Sequence, residues 1–418
     1  MKSTLELPRF YKIKQHFEER CIENVPEYLR NQLSKSNSIH DIKPGMRIAI
    51  TAGSRGIDNL VPILRTTVEY LKELHAEPFI VGSMGSHGGG TAEGQRELLQ
   101  SLGVNEETVG CGVYTSSETV EIVHTNAGLA VFCDKKAWES DGIIVFNRIK
   151  PHTAFHGPNE SGLLKMITVG LGKANGASQL HRLGPNHMSA AIREIGQAFL
   201  NTGKIICGIA AVENQFDKTS ILEIIEPNHF ITREQDLLIK AKAFLPTLPT
   251  DELDILVIRM MGKNYSGTGM DTNVIGRSRM FGVPEPDSPK FARVVVLDLD
   301  DASHGNATGI GLADLTTERL FQKIDRQKTY FNCTTSTYVQ RAMIPMIMPS
   351  DKAAIETAML SLAAEDPMQL RMAVIDDTLH VQHALISESV ARELTGNPKI
   401  ETISQPINLK FSTDGTLL

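Results

Sequence analysis

The chain alternates short apolar runs of strand length with amphipathic stretches of helical period, and this alternation limits its fold more than any other feature. Residues 46–51, MRIAIT, are β-branched and apolar and end at a glycine turn, which predicts a buried strand. In the stretch 58–76 leucine, isoleucine and valine recur at helical spacing, and residues 91–103 form a second such stretch with Thr91 as a plausible N-cap. This order predicts an α/β fold with parallel or mixed sheets and helices on both faces.

A break in the pattern near residue 247 predicts two domains. The segment FLPTLPTDELD carries two prolines between an apparent helix and a new strand, and proline disfavours the continuation of a helix. A chain of 418 residues is also long for one core. We therefore expect an amino-terminal domain over 1–247 and a carboxyl-terminal domain over 248–418, with a helix at 312–324. Ligands of open α/β sheets bind beyond the carboxyl ends of the strands, so we expect the active site in the cleft between the lobes.

Composition narrows the class of partner. The net charge is −7 and there is no strongly basic block, which argues against nucleic acid. The longest apolar runs are too short to span a bilayer, and the first twenty residues lack the apolar core of a signal peptide, so we expect a cytoplasmic protein. Five scattered cysteines without a C-x-x-C pair argue against a zinc ribbon, an iron–sulfur motif and a disulfide framework.

Two glycine-containing turns directly after predicted strands carry candidate site residues. TAGSRGIDN contains Arg55, whose guanidinium fork suits a carboxylate or phosphate. GSMGSHGGGTAEG contains His87, which its small neighbours leave accessible and whose ordinary pKa suits proton transfer. The second turn matches neither the P-loop nor G-x-G-x-x-G, and the chain has no G-x-S-x-G elbow of a serine hydrolase. A surface arginine and a histidine that only hydrogen-bonds its loop remain open alternatives.

A third constellation lies in residues 149–182. His152 follows a predicted strand, Lys165 lies in the apolar run SGLLKMITVG, and His181 comes sixteen residues later. A lysine in such a run either extends its amine to water or is partly desolvated, which lowers its pKa and makes it suitable for covalent attachment. The histidines lack the usual spacings of zinc ligands. A zinc hydrolase or lyase using His87, His152 and His181 remains an alternative, as does a non-catalytic anion-binding protein.

The predicted carboxyl-terminal domain contributes basic residues close to its first strand. MGKNYSGTGMDTNVIGRSR contains Lys263, Arg277 and Arg279, which together with Arg55 are expected to clamp a small acid between the lobes. His304 also follows a predicted strand among glycines, and a turn is the default interpretation there.

Taken in order, these motifs resemble those of the nickel-dependent lactate racemase family, from about residue 45 to about residue 315. SRG resembles the arginine-bearing turn of the family, and GSH followed by T-x-E resembles its catalytic-histidine loop. KPHTAF…SGLLK resembles its Pro-His…Ser-Gly-x-x-Lys segment, and His181 lies at the spacing of its nickel-binding histidine. The resemblance implies a two-lobed lactate-racemase-like fold and an isomerase, either a racemase or an epimerase of a 2-hydroxy acid.

The family resemblance also implies roles for individual residues. Lys165 would hold a nickel-pincer nucleotide through a thioamide, and His181 would ligate the nickel. His87 and His152 would be the two proton-transfer groups, while hydride moves to the cofactor and returns to the opposite face of the substrate. Arg55 and the basic residues of the second lobe would grip the substrate carboxylate. Cofactor-maturation proteins are then expected partners.

Two departures from the family pattern bear on the substrate. The acidic residue that precedes the arginine turn in lactate-specific members is not evident in TAGSRG. The interval from His152 to Lys165 is three residues longer, with His156, Asn159 and Glu160 inside it, although Glu160 also suits a solvated loop. Extra polar groups favour a larger, polyhydroxylated substrate such as a sugar acid over lactate, because a buried hydroxyl needs a partner.

Overall fold

The computed structural model describes residues 6–418 and divides into two compact units. One unit is Glu18–Leu245, and the other is Pro246–Leu418 together with the amino-terminal segment that ends at Phe17. The strands, numbered in chain order, are Phe10–Gln15 (β1), Arg47–Ala52 (β2), Glu77–Gly82 (β3), Val113–Tyr114 (β4), Thr119–His124 (β5), Ala130–Asp134 (β6), Gly142–Arg148 (β7), Ile205–Glu213 (β8), Thr219–Ile225 (β9), Glu252–Met261 (β10), Lys290–Leu299 (β11), Leu315–Thr317 (β12), Met346–Met348 (β13), Met372–Ile375 (β14), His383–Ser387 (β15) and Ile400–Thr402 (β16).

The helices alternate with these strands, and short 3₁₀ turns and one π-helical turn, Met166–Gly170, complete the regular structure of the described residues. The α-helices are Val25–Leu33 (α1), Asn37–His40 (α2), Leu60–Glu73 (α3), Ala92–Ser101 (α4), Glu106–Val109 (α5), Lys135–Trp138 (α6), Leu163–Lys165 (α7), Lys173–Leu183 (α8), Pro185–Leu200 (α9), Phe230–Ala243 (α10), Thr272–Ile275 (α11), Glu318–Lys323 (α12), Arg326–Thr335 (α13), Asp351–Leu360 (α14) and Glu388–Glu393 (α15).

The unit Glu18–Leu245 is built on a sheet of order β4-β3-β2-β7-β8-β9, in which only β9 runs antiparallel to its neighbour. Successive residues of β2 face opposite sides of the sheet, where Ala49 joins one apolar core and Ile48 and Ile50 join the other. Both faces are therefore covered, which explains why the strands read as nearly continuous apolar runs. β5 and β6 form a separate antiparallel pair.

The second unit contains a mixed sheet of order β13-β12-β11-β10-β14-β15-β1-β16. The strands from β13 to β14 are parallel, and β15, β1 and β16 extend the sheet with antiparallel pairs. The predicted α/β class with parallel and mixed sheets is confirmed. Within residues 6–418, no helix combines the length and the apolar character needed to cross a membrane.

The amino-terminal segment differs from the predicted division at residue 247. We expected residues 1–247 to form one domain, but β1 pairs with β15 and β16 in the sheet of the carboxyl-terminal unit, with Phe10 opposite Ser387 and Ile13 opposite Thr402. Phe10 and Ile13 are fully buried there. An isolated strand has to find hydrogen-bond partners, and β1 finds them more than 360 residues away in sequence, which no local pattern indicates.

The helix predicted at 312–324 is wrong in its first half. Residues Leu315–Thr317 form β12, which pairs with β11 and β13, and helix α12 begins only at Glu318. Two consecutive threonines favour the extended conformation, and the Thr317 hydroxyl then caps the helix by accepting the Leu320 amide at 3.1 Å.

We predict that Phe10→Ala destabilises the carboxyl-terminal unit by about 3–5 kcal/mol, because it leaves a cavity in a fully buried site. The single tryptophan, Trp138, packs in the core of the other unit and reports on it separately. When urea unfolding is followed by far-UV circular dichroism, the transition should begin at a lower urea concentration than in the unmutated protein. The transition followed by Trp138 fluorescence should change little. Phe146→Ala, in the core of the first unit, is the control that should shift the fluorescence transition. Equal shifts of both signals in Phe10→Ala would contradict the assignment.

Candidate functional site

Three loops at the carboxyl ends of neighbouring parallel strands carry Arg55, His87 and His152. They follow β2, β3 and β7 respectively, and β2 lies between the other two strands in the sheet. The carboxyl ends of parallel neighbours meet at one edge of a sheet. The strand order also reverses between β2 and β7, and open α/β sheets bind ligands beside such a point.

The His87 ring is held by the loop that carries Arg55 and by its own loop. Its Nδ1 lies 3.0 Å from the Ser54 hydroxyl and 3.0 Å from the carbonyl oxygen of Met84. A carbonyl oxygen only accepts hydrogen bonds, so the neutral ring carries its proton on Nδ1 and its lone pair on Nε2. Both Arg55 and His87 are solvent-exposed, which leaves them accessible to a ligand.

His152 is fixed differently. Its backbone N–H donates to Glu160 Oε2 at 2.7 Å, and its Nδ1 accepts the Ala154 amide at 3.0 Å. The ring stacks on Phe155 with centroids 4.2 Å apart. Because Nδ1 is an acceptor here, the neutral His152 ring carries its proton on Nε2, the reverse of His87.

Lys165 ends the helical turn α7, which continues into the π-helical turn Met166–Gly170, a distortion that often marks functional sites. Its Nζ lies 5.9 Å from the centroid of the Phe155 ring, the same ring on which His152 stacks. Burial and the positive charges of Arg55 and Lys150 lower the pKa of Lys165 to about 8. A much larger share of this amine is therefore uncharged near neutral pH than for an ordinary lysine.

His181 lies near Lys165 on helix α8 and has a property that suits a metal ligand. Burial and the charge of Lys165 lower the pKa of His181, which favours the neutral ring. Its Nδ1 is buried and has no hydrogen-bond partner among the described residues. A buried ring nitrogen without a partner is unusual and calls for an explanation such as an ion. A lysine that loses its proton more readily than usual and an imidazole held neutral fit a metal cofactor joined to Lys165, since both attachment and ligation need unprotonated nitrogen.

The His87 loop is pinned to the segment that follows Lys165. The Gly85 amide donates to the Gly170 carbonyl at 3.3 Å, and Gly85 has a positive φ of 60°. A side chain there would be strained, and its Cβ would lie only 3.0 Å from Val169. Glycine at this position therefore lets the two segments pack closely.

Lys173, which the sequence motifs did not single out, is buried and links β3, α4 and β6. Its side chain is 1% exposed, donates to Gln95 Oε1 at 3.0 Å and forms an ion pair with Asp134 at 3.1 Å. Its amine also donates to the Gly82 carbonyl at the end of β3. Because it is enclosed and bonded on three sides, Lys173 is a structural residue, whereas Lys165 keeps a partly exposed side chain.

The extra polar residues between His152 and Lys165 mostly serve the protein itself. Glu160, which we also considered as a solvated loop residue, is 1% exposed and pairs with Lys242 at 2.7 Å. Burial alone would raise the pKa of Glu160, but hydrogen bonds from His156 and Lys242 hold it below its ordinary value. Asn159 is also buried and donates to Glu234 at 3.1 Å. These contacts remove Asn159 and Glu160 from the groups expected to face a substrate.

His156 is exposed and borders a groove of about 790 Å³ between the loop 156–159 and helix α9. None of Arg55, His87, His152, Lys165 or His181 lines this groove. The groove is therefore separate from the site described above.

The basic residues predicted in the second unit are bonded within that unit. Lys263 Nζ donates to the Gly267 carbonyl at 2.6 Å. Arg277 and Arg279 both pair with Asp314, at 2.7 and 2.5 Å. Substrate binding by these three residues stays a prediction, and for the two arginines it would require these pairs to open. His304, with a φ of 47°, lies in a turn and accepts Lys328 through its carbonyl at 2.9 Å.

A zinc site made of His87, His152 and His181 is not assembled in this structure. Among residues 6–418, no group of three or more histidine, cysteine, aspartate or glutamate side chains is arranged to hold a metal ion. Zinc sites need at least three protein ligands close together. The single unpartnered imidazole of His181 instead suits a metal whose other ligands come from a cofactor.

Comparison with known structures gives the fold a name. The structure of the lactate racemase apoprotein from Thermoanaerobacterium thermosaccharolyticum superposes with a TM-score of 0.54 over 88% of this chain and 99% of that one, at 13% identity. This chain shares the lactate racemase fold. A crystal structure of a Thermotoga maritima protein matches with a TM-score of 0.50 over 76% of this chain and 82% of its own, also at 13% identity. No family model and no curated protein sequence matches the chain. The predicted lactate-racemase-like fold is thus confirmed.

We predict that Lys165 reacts unusually fast with an amine-selective acylating reagent. At pH 8 about half of the Lys165 amine is uncharged, roughly a hundredfold more than for a lysine of ordinary pKa. Acetylation of the unloaded full-length protein, followed by peptide mass spectrometry, should be about tenfold faster at Lys165 than at exposed Lys240, since a less basic amine is also less nucleophilic. The rate at Lys165 should level off above about pH 9, where the amine is largely deprotonated. Rates that rise in parallel at both lysines up to pH 10 would contradict the lowered pKa.

Proposed function

We propose that this protein is a racemase or epimerase of a 2-hydroxy acid that works with a nickel-pincer nucleotide tethered to Lys165. One observation carries the proposal: a lysine amine with a lowered pKa lies close enough to affect the pKa of an imidazole whose buried Nδ1 has no hydrogen-bond partner among the described residues. His87, His152 and Arg55 lie on loops at the same edge of the sheet. The shared fold adds support but does not by itself assign an activity.

In this proposal Lys165 tethers the cofactor and His181 ligates its nickel. A soft sulfur and an imidazole nitrogen are both ligands that nickel accepts. When bound, the cofactor supplies a reversible hydride acceptor, which avoids the carbanion that direct removal of a weakly acidic α-hydrogen would create.

The remaining side chains bind the substrate and transfer its hydroxyl proton. Arg55 is exposed and presents a planar fork that suits the substrate carboxylate. The neutral His87 ring has its lone pair on Nε2 and accepts the hydroxyl proton as a general base. The neutral His152 ring presents Nε2–H as a hydrogen-bond donor to the substrate oxygen. To return a proton, His152 must first be protonated at Nδ1, which requires the Ala154 amide to turn away.

The substrate class is a 2-hydroxy acid, with a sugar acid as one member. The sequence favoured a larger substrate because of three extra polar residues, and two of these are engaged inside the protein. The third, His156, pairs with Glu160 and borders the groove that is separate from the candidate site, so this loop adds no support for a polyhydroxylated substrate. Turnover of lactate and of sugar acids should be compared directly.

We predict a covalent nucleotide-sized adduct on Lys165 when the full-length chain is produced together with cofactor-maturation proteins. Intact-protein and peptide mass spectrometry should map the adduct to Lys165 and find none in Lys165→Arg. Lys150→Arg, at a neighbouring lysine, is the control and should retain it. His181→Ala should keep the adduct but lose most of its nickel, at least tenfold by elemental analysis, because the protein's own metal ligand is gone. One equivalent of zinc and no adduct would instead favour a zinc enzyme.

We predict that the loaded protein interconverts the enantiomers of a 2-hydroxy acid and retains deuterium placed at C2. His87→Ala and His152→Ala should each lower kcat by about 10²–10⁴-fold, the usual contribution of a general acid–base group. His229→Ala removes an exposed histidine of the same unit and should leave kcat unchanged. Chiral chromatography and mass spectrometry provide both readouts. Loss of the deuterium to solvent would rule out hydride transfer, and a protein that binds the acid equally well in all variants without turnover would be an anion-binding protein.

A further inference from the structure

A buried carboxylate that none of the motifs includes lies directly beneath the segment that carries Lys165. Glu234 belongs to helix α10 and is 1% exposed. Its Oε2 accepts the Leu164 amide at 2.9 Å, and the Leu163 amide also donates to this carboxylate. Its Oε1 accepts Asn159 Nδ2 at 3.1 Å. All of these hydrogen bonds come from the chain within six residues of Lys165.

The hydrogen bonds of Glu234 hold the start of the helical segment that begins at Leu163. The first amides of a helix have no partner within the helix, and a negative charge is favourable beside them. Gly162 makes the approach possible, because a Cβ at this position would lie 2.5 Å from Glu234 Oε2. The Gly162 carbonyl is fixed in turn by Asn147 Nδ2 at 2.7 Å. Lys165 is the third residue of a segment whose first two amides are tied to one buried side chain.

No cation within residues 6–418 pairs with this carboxylate. Among the described residues, Glu234 takes part in no ion pair, and the nearby pair of Lys242 and Glu160 is complete in itself. Burial raises the pKa of Glu234 to about 7. Keeping such a group in a core is costly, so a core that needed only filling would be more stable with an apolar residue. The observed geometry gives the carboxylate a specific task, which is to accept the amides of Leu163 and Leu164.

We propose that Glu234 is a positioning residue that fixes the segment Leu163–Gly170 so that the Lys165 side chain stays in its partly buried place. The inference rests on the function proposed above for what Lys165 holds. It does not depend on that function for its test, because the position of the amine is a property of the unloaded protein. A role confined to core stability is the alternative.

The unloaded full-length protein provides the test. Acetylation at pH 8 compares Lys165 with Lys240, an exposed lysine on the same helix as Glu234. In Glu234→Ala the amides of Leu163 and Leu164 lose the carboxylate that accepts their hydrogen bonds, and the Lys165 amine relaxes toward water. The ratio of the Lys165 rate to the Lys240 rate should therefore fall about tenfold. Glu234→Gln keeps one carbonyl acceptor and the shape of the side chain, so the ratio should stay within about twofold of the original. Asp236→Ala removes an exposed acidic residue of the same helix and is the matched control.

The direction of the change separates positioning from direct electrostatics. Removing a negative charge without moving the segment would favour the neutral amine of Lys165 and raise the ratio. An unchanged ratio in folded Glu234→Ala, a raised ratio, or an equal fall in the Gln and Ala variants would overturn the proposal. If Glu234→Ala does not fold, Gly162→Ala tests the same contact, because its Cβ displaces the carboxylate, and the ratio should fall there too. An unchanged ratio in folded Gly162→Ala would likewise overturn it. If Lys165 proves to carry no cofactor, the function proposed above is wrong. The acetylation ratios still test the positioning role of Glu234, because they are measured on the unloaded protein.

Discussion

The unit Glu18–Leu245 is organised around Lys165, whose positive charge is unfavourable in its surroundings. The Lys165 amine is partly desolvated and lies near Arg55 and Lys150, whose like charges disfavour its protonated form. Such a group relaxes toward water unless the surrounding chain holds it. An acyl or thioacyl linkage removes the charge together with the repulsion, so covalent modification of this amine is favoured by its surroundings. The tight packing of the neighbouring loops can be understood as the means of keeping Lys165 there.

Helix α10 holds both the segment that carries Lys165 and the loop that carries His152. Glu234 on this helix accepts the first amides of the segment that carries Lys165, and Lys242 on the same helix pairs with Glu160. Glu160 in turn accepts the backbone amide of His152 at 2.7 Å. One amphipathic helix therefore sets the positions of a candidate base and of the candidate tether through two buried carboxylates. Both carboxylates are 1% exposed, so loss of the groups that hydrogen-bond to them would leave a buried acceptor unsatisfied, which is costly.

Much of the fold and of the candidate site could be predicted because the signals are local. The β-branched runs that end in glycine turns are strands, and Arg55, His87 and His152 follow strands directly, so their meeting at one sheet edge follows from parallel pairing. Long-range partners could not be predicted in this way. β1 has no neighbour in sequence that reveals its place in the second unit, and the threonines of β12 follow a stretch that otherwise has helical period.

Glu234 had a signal that was overlooked. It lies four residues after Phe230 and three before Leu237, on the same face of α10 as these fully buried residues. A glutamate at a core position of an amphipathic helix indicates a buried acceptor role. By contrast, Asn159 and Glu160 are buried because of the path of an irregular loop, and no periodic pattern in the sequence indicates that burial.

The backbone holds the rings of the two candidate proton-transfer groups in different neutral tautomers. The Met84 carbonyl places the proton of neutral His87 on Nδ1, whereas the Ala154 amide places the proton of neutral His152 on Nε2. A reaction that removes a proton on one face and returns it on the other needs one ring to begin as base and the other as acid. In the proposed reaction the His87 ring as held here suits the base, whereas the His152 ring presents only a hydrogen-bond donor, because the Ala154 N–H opposes a second proton on His152. In the proposed reaction, protonation of His152 at Nδ1 would therefore require the Ala154 amide to move away from the ring, which stacks on Phe155.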